Sequence, residues 1–290
     1  MKTARTCTVF LLGLALLLSA LPSVRPARAE EDDDLMIEEI VEEVDLDAVI
    51  YGEVAWDFPV ALEDMEPAFV RLANKHYLLE KDYVPDPLIT VKARKADKAG
   101  NNTNGGLLKA SGSKMQLQQT CYEALVEMSE AALAEGYRLY LKSAYRSYQT
   151  QHTMYYNRLK KNNGKDDGWV AMPGSSDHQT GLGCDVVPRS WRDKSMNGKM
   201  GAEPECVWMA EHCQEFGFIL RYPADKEEVT EINYEPWHMR YVGIPAATYI
   251  MENGLCLEEF VLELQEAIDA FVNAGGDPAL VESFRQMPAD

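Results

Sequence analysis

An α+β fold is predicted for this 290-residue chain by three features. Apolar residues recur at helical spacing in several separate segments. Short stretches of strand character fall between them without the regular alternation of a parallel α/β sheet. No internal repeat is present. The length bounds one large or two small domains, and an apolar fraction of 46% supports a sizeable core.

The chain opens with a segment to be set apart from the fold. Lys2 and Arg5 precede an almost wholly apolar run from Val9 to Leu21, and Ala27-Arg28-Ala29 fits a small-x-small cleavage site. This is the pattern of a secretory signal peptide over residues 1–29, cleaved before Glu30. The run of about 13 residues falls short of the roughly 20 needed to span a bilayer, and Cys7 lies too early for lipid attachment. No stable membrane insertion is expected after cleavage, and the mature chain is expected outside the cytoplasm. Without residues 1–29 it carries 24 Lys and Arg against 47 Asp and Glu, a formal charge of −23. That balance argues against a nucleic-acid partner and against an anionic membrane surface. Residues 30–47 hold 11 acids and no Lys or Arg, so residues 30–70 read as an acidic tether, disordered or partly helical.

From about Arg71 the composition becomes globular. Residues 85–113, with KAGNNTNGG, read as a loop. Leu117, Cys121, Leu125, Met128 and Leu133 predict a helix over 115–135 that stops at Gly136. Tyr137–Tyr145 alternates as a strand, and a polar helix is expected over Ser147–Lys161. After a loop-rich stretch from Gly164 to Gly183, Cys184–Val187 reads as a short buried strand. Glu205–Phe216 is a helix stopped by Gly217. Phe218–Tyr222 and His238–Val242 read as strands. Pro245 opens a short helix ending at Gly254, and Leu257–Ala274 is an amphipathic helix. The last stretch, 263–290, is expected as a helical tail.

Five cysteines follow residue 29: Cys121, Cys184, Cys206, Cys213 and Cys256. An exported chain can form disulfides, but an odd number cannot all pair. Cys206 and Cys213 are separated by about 10 Å of helical rise, too far for a mutual bridge. The cysteines read mainly as small buried residues, with one bridge possible.

Two of the five histidines have unusual neighbours. His178 lies in SSDHQTGLGCD, with Asp185 seven positions on, and His238 lies in EPWH, three positions after Glu235. Two imidazoles and one carboxylate suit zinc and leave a position for water. A nearby carboxylate outside the ligand set can take that water's proton. Gly181 and Gly183 make the stretch between the first two candidates bendable. Glu235 and His238 would face opposite ways on a regular strand, and Pro236 argues for a turn instead. Spacing alone leaves the bland reading open, since a lone histidine is more often structural. His76, His152 and His212 read as surface or capping residues. An alternative set of Cys206, His212 and Cys213 lacks a fourth partner.

These residues carry a resemblance. The chain is similar to the VanY-type D-alanyl-D-alanine carboxypeptidases, in the metallopeptidase group that includes the dipeptidase VanX and the hedgehog-like fold. The first zinc motif of that family, S-x-H-x-x-G-x-A-x-D, is matched by Ser176, His178, Gly181 and Asp185. Gly183 stands where Ala is usual, a departure expected to matter little because both are small. The second motif, E-x-W-H, is matched by Glu235, Trp237 and His238. An upstream motif, Y-R-S-x-x-x-Q, is matched by Tyr145, Arg146, Ser147 and Gln151, and the run EFGFILRYP is also similar. The resemblance covers residues 71–262 and implies one peptidase domain with a small antiparallel sheet flanked by helices. It implies one zinc ion on His178, Asp185 and His238, with Glu235 as general base and then acid. It implies that Arg146 faces the polarised carbonyl or the substrate carboxylate, and that Gln151 and Ser176 bind the peptide terminus. Trp237 is read as packing and Asp177 as solvent-facing. The implied substrate is the peptidoglycan stem peptide, with the enzyme in the cell wall or periplasm.

Three other readings compete. Ser111-Gly-Ser-Lys114, with Ser195-Met-Asn197 and Lys199-Met-Gly201, approximates a serine peptidase set, but the first motif sits in a Gly-rich loop and the others nearly touch. A non-catalytic wall-binding module would be expected to have lost a ligand or the base. L,D-cleavage and endopeptidase activity would use the same zinc chemistry.

Overall fold

The computed structural model describes residues 49–51, 54–99, 101–112 and 114–288. The predicted signal peptide and residues 30–48 of the expected tether lie outside the described residues. No helix among the described residues is long and apolar enough to cross a membrane.

Two small two-stranded sheets come first. β1 (Val49–Tyr51) pairs antiparallel with β2 (Val54–Trp56). β3 (Leu88–Thr90) pairs antiparallel with β4 (Gln116–Gln118). β3 lies inside the stretch expected as loop, because Leu88 and Ile89 are masked by surrounding Pro, Lys and Gly. Its pairing also takes residues 116–118 from the start of the predicted helix. α1 (Gln119–Ala134) therefore begins later and buries Cys121, Leu125, Met128 and Ala132 on one face. Gly136, at φ +96°, ends it in a conformation that suits glycine.

The four-stranded sheet runs β5 (Leu139–Ser143), β6 (Gly183–Pro188), β8 (His238–Tyr241), β7 (Phe218–Leu220), every pair antiparallel. β6 is central and buried along its whole length. α2 (Tyr148–Lys161) opens on Ser147, whose hydroxyl accepts from the Thr150 N–H. Arg158, Lys160 and Lys161 complement the dipole at its far end. α3 (Pro204–His212) passes into a 3₁₀ turn over Cys213–Phe216 and stops at Gly217, φ +77°. α4 (Glu227–Thr230), α5 (Ile244–Glu252), α6 (Leu257–Asn273) and α7 (Pro278–Val281) follow.

Apolar side chains gather in two clusters. One lies between the sheet, α1 and α3, and includes Leu117, Leu125, Val186, Met209 and Met239. The other is built on α5 and α6, and includes Ile250, Phe260, Leu264 and Ile268. This second cluster corrects the expected tether. Trp56, Val60, Leu62, Met65 and Val70 are buried in it. The Trp56 indole N–H donates to the Val60 carbonyl at 2.9 Å, and its ring meets Phe271 edge-on at 5.7 Å between centroids. The physical reason is that the dense acid run ends by Asp47, while the apolar stripe of α6 needs a cover. Burial of large apolar side chains there outweighs the remaining charge. The tail is likewise part of this packing, through Phe271, Val281 and Phe284.

All five cysteines among the described residues are free and buried. Burial pushes the thiols of Cys206, Cys213 and Cys256 up to about 12. The bridge that the count left open does not form.

Trp56→Ala is expected to remove about 3–5 kcal/mol of stability, the usual range for a buried aromatic truncated to alanine. Thermal and urea unfolding of the purified variant would measure it, and an effect below about 1 kcal/mol would contradict the packing of this segment.

Candidate active site

The site is built on strand register. Asp185 on β6 stands directly opposite His238 on β8. Cross-strand neighbours of this kind hold their Cβ atoms about 4.5–5.5 Å apart. A one-residue slip would turn both side chains to the other face. His178 comes from a 3₁₀ turn over Asp177–Thr180, which Gly181 closes at φ +70°. Its position is stitched to the end of β5: the Arg146 N–H donates to the His178 carbonyl at 3.0 Å. Glu235 reaches the site through the expected turn, with the His238 N–H donating to the Glu235 carbonyl at 3.0 Å.

The imidazole tautomer of His178 follows from its partner. Nδ1 lies 2.7 Å from the Ala144 carbonyl, which can only accept, so Nδ1 carries the proton. The lone pair on Nε2 then faces Asp185 Oδ1 at 3.4 Å. His238 Nδ1 lies 3.3 Å from the same oxygen and 3.4 Å from Glu235 Oε2. One ligand atom from each of His178, Asp185 and His238 lies within 4.8 Å of the others.

These separations bear on what the trio can hold. A tetrahedral ion with bonds of about 2.0–2.2 Å sets its ligand atoms roughly 3.3–3.6 Å apart. Asp185 Oδ1 is buried and has no hydrogen-bond partner. A buried carboxylate oxygen left without a donor, facing two imidazole nitrogens at ligand-edge distance, fits a divalent cation. The donor set, two nitrogens and one oxygen, is a zinc set that keeps one position open.

The electrostatics agree. Burial alone would raise the Asp185 carboxyl, but His178 and His238 hold it well below the usual carboxylate range. Burial would lower His238, yet the Asp185 and Glu235 carboxylates beside it raise it to about 9. Burial and Arg146 keep His178 below its ordinary value, in the neutral form. Burial raises Glu235 above its ordinary value, the direction that suits a carboxyl that takes and returns a proton.

The cluster sits in a cavity of about 390 Å³ whose walls include Arg146, Gln151, Ser176, Tyr222, Trp169 and Trp237. Arg146 donates to Gln151 Oε1 at 2.8 Å and to the Ser143 hydroxyl at 3.1 Å. Gln151 is fully buried and its amide donates to the Ala171 carbonyl. Ser176 is buried beside them. Trp237 packs in the main core and stacks on Trp169 at 6.4 Å, with 14° between planes. A second cavity of about 500 Å³ shares Trp169 and Asn197 with the first.

Several sequence expectations change here. Asp177 is not solvent-facing: it is fully buried between Arg221 and Arg240. Gly183 is not freely exchangeable with alanine: an added Cβ would meet the Asp177 Cβ at 2.8 Å and the Asp177 carbonyl carbon at 2.9 Å. Sequence reasoning assigned no role to Tyr222, whose ring lies 4.9 Å from that of His238. Its only signal was its place in EFGFILRYP. His76, His152 and His212 stand outside the cluster, and His212 pairs with Glu215 at 2.8 Å. Cys206 and Cys213 are buried core residues. Ser111 spends its hydroxyl on the Lys142 carbonyl at 3.2 Å, and Ser113 lies outside the described residues.

Residues 114–244 match the family described as VanY, D-alanyl-D-alanine carboxypeptidase. The solved structure of the LdcB LD-carboxypeptidase is 35% identical, with a TM-score of 0.56 over 67% of this chain and 86% of that one. This chain belongs to the VanY family. A putative carboxypeptidase, YodJ of Bacillus subtilis, is 36% identical over 192 residues, 66% of each chain. A VanY D,D-pentapeptidase mutant from a VanB-type resistance cassette, solved with Zn(II), is 29% identical, with a TM-score of 0.50 over 67% of this chain and 99% of that one. The chain spans 66%, 57% and 61% of the length of three curated relatives it matches. The α+β fold with its small antiparallel sheet is that of these VanY and LdcB peptidases.

Gly183→Ala is expected to destabilise the protein by about 1–3 kcal/mol, because backbone and a buried Cβ must shift to admit the methyl. The apparent melting temperature would register the change. An unaltered value would mean that the Asp177 turn yields without cost.

Proposed function

We propose that this chain is an exported zinc carboxypeptidase that removes the terminal D-alanine from peptidoglycan stem peptides. The observation that carries the reading is the convergence of His178, Asp185 and His238 beside Glu235, in a cavity that also presents Arg146. The similarity to a VanY enzyme solved with Zn(II) supports the metal. The signal-peptide pattern of residues 1–29 supports export.

His178 Nε2, Asp185 Oδ1 and His238 Nδ1 would hold one zinc ion. Zinc, when bound, lowers the pKa of a coordinated water and polarises a carbonyl. Glu235 accepts the proton of the attacking water as its oxygen bonds to the carbonyl carbon before the terminal D-alanine. The Arg146 guanidinium, held by Gln151 and Ser143, offers a permanent positive charge to the developing oxyanion or to the terminal carboxylate. Glu235 then returns the proton to the departing nitrogen as the C–N bond breaks, releasing D-alanine and a shortened peptide. Gln151 and Ser176 hydrogen-bond the peptide end. The adjoining second cavity suits a substrate longer than a dipeptide.

One observation favours a second reading: the likeness to LdcB, an LD-carboxypeptidase, at 35% identity. L,D-cleavage of a tetrapeptide uses the same groups. Incubation with pentapeptide and tetrapeptide stems, with the products weighed by mass spectrometry, separates the two. Loss of D-alanine from neither peptide would reject both.

Glu235→Ala is expected to retain one zinc per chain and to lose about 10²–10⁴-fold in kcat. Wild-type turnover by this variant would remove Glu235 from the mechanism. Arg146→Ala is expected to lower kcat about 10²–10³-fold, the range for loss of one oxyanion donor. Chelation of zinc should abolish activity and penicillin should leave it untouched. The opposite pattern would favour the serine chemistry approximated by Ser111 and Lys114.

A further inference from the structure

Behind the metal-binding candidates lies a buried charge network that the mechanism above does not use. Asp177 is fully buried and immediately precedes His178. Its Oδ2 accepts from Arg221 Nε at 2.6 Å and its Oδ1 from an Arg240 Nη at 2.5 Å. Both arginines are fully buried. Arg221 spends its other two nitrogens on the Glu258 carboxylate, at 2.6 and 2.7 Å. Arg240 spends its second Nη on the carbonyls of Phe69 and Arg71, at 2.9 and 2.7 Å. The formal charges of Asp177, Glu258, Arg221 and Arg240 cancel.

The network reaches the site at His238. His238 Nε2 is buried without a hydrogen-bond partner. The atom facing it is Asp177 Oδ2, at 4.0 Å. The other ring nitrogen, Nδ1, is the one that faces Asp185. A carboxylate on the far side of a ligating imidazole fixes the tautomer and ring orientation and raises ligand basicity. Here that carboxylate is held by two buried arginines, of which Arg221 is also paired with Glu258 and Arg240 is also bonded to the carbonyls of Phe69 and Arg71. Glu258 lies on the first turn of α6, and Phe69 and Arg71 lie between β2 and β3. All three fall outside residues 114–244, which match the family.

We propose that Asp177 is a positioning residue for His238, and that Glu258 on α6 sustains it through Arg221, so that metal affinity is set in part by chain flanking the matched region. The inference rests on the zinc reading given above. Removing Glu258 leaves an uncompensated buried arginine near a site that must accept a cation. Removing the Asp177 charge takes away the carboxylate that faces the buried His238 Nε2 at 4.0 Å.

The test is zinc affinity of the full chain, measured by competition with a chromophoric chelator. Apo-protein near-UV circular dichroism and melting temperature are recorded alongside, together with the visible spectrum of the cobalt(II) form. Asp177→Asn and Glu258→Gln are each expected to weaken zinc binding about 10–100-fold and to alter the cobalt spectrum. Glu258→Gln keeps an acceptor for Arg221 and serves should Asp177→Asn fail to fold. Glu266→Gln, an exposed change on the same helix, is expected to bind zinc like the wild type. Zinc dissociation constants within twofold of wild type in folded Asp177→Asn or Glu258→Gln would overturn the inference. The zinc reading would then stand, provided that wild type binds one ion and His178→Ala does not. A wild-type chain that binds no zinc would overturn both.

Discussion

The pairing of Asp185 with His238 across β6 and β8 is the constraint on which the site depends. It joins residues 53 positions apart in sequence into one rigid unit, because a sheet register admits no partial slip. The same register places Gly183 opposite Arg240, two residues along on the same face. That second pair matters as much as the first. It lets Asp177 approach the sheet where a side chain would otherwise stand, and it aims Arg240 at the Asp177 carboxylate. One ladder therefore positions both the residues that face the cavity and the charges that stand behind them.

Burial of so many ionisable groups is costly unless each is paired. The molecule meets this with complete pairing behind the site and incomplete pairing within it. Asp177, Arg221 and Arg240 have their hydrogen-bonding needs met. Asp185 Oδ1, which faces the imidazoles of His178 and His238, does not. Unsatisfied buried atoms in an otherwise satisfied network are expected where a ligand belongs. The contrast separates the fully paired polar interior from the residues that face the cavity.

Much of the site was legible in the sequence because its chemistry is local. His178 and Asp185 are seven residues apart with two glycines between, and Glu235 and His238 share one turn. Pro236 rightly signalled that turn. Asp177 was misread because its environment is not local. Its partners lie 44 and 63 residues away, and nothing in SSDHQ announces them. Gly183 was misread for the same reason, since the atom that excludes a methyl there belongs to the Asp177 turn. The acidic segment illustrates a different limit. Composition averaged over residues 30–70 hides the change at about Val54, where acids thin out and Trp56, Val60 and Leu62 find a helix face to cover. A composition window reports what a segment contains, whereas packing depends on what lies opposite.

The stacked indoles of Trp169 and Trp237 have one further consequence. The two rings lie nearly parallel in the cavity wall, and Trp237 immediately precedes His238. Indole emission shifts with the polarity of its surroundings, and a guest that displaces water from this cavity changes that polarity for both rings at once. The protein accordingly carries a native optical probe in the wall of this cavity, readable without labels against a background of three other tryptophans.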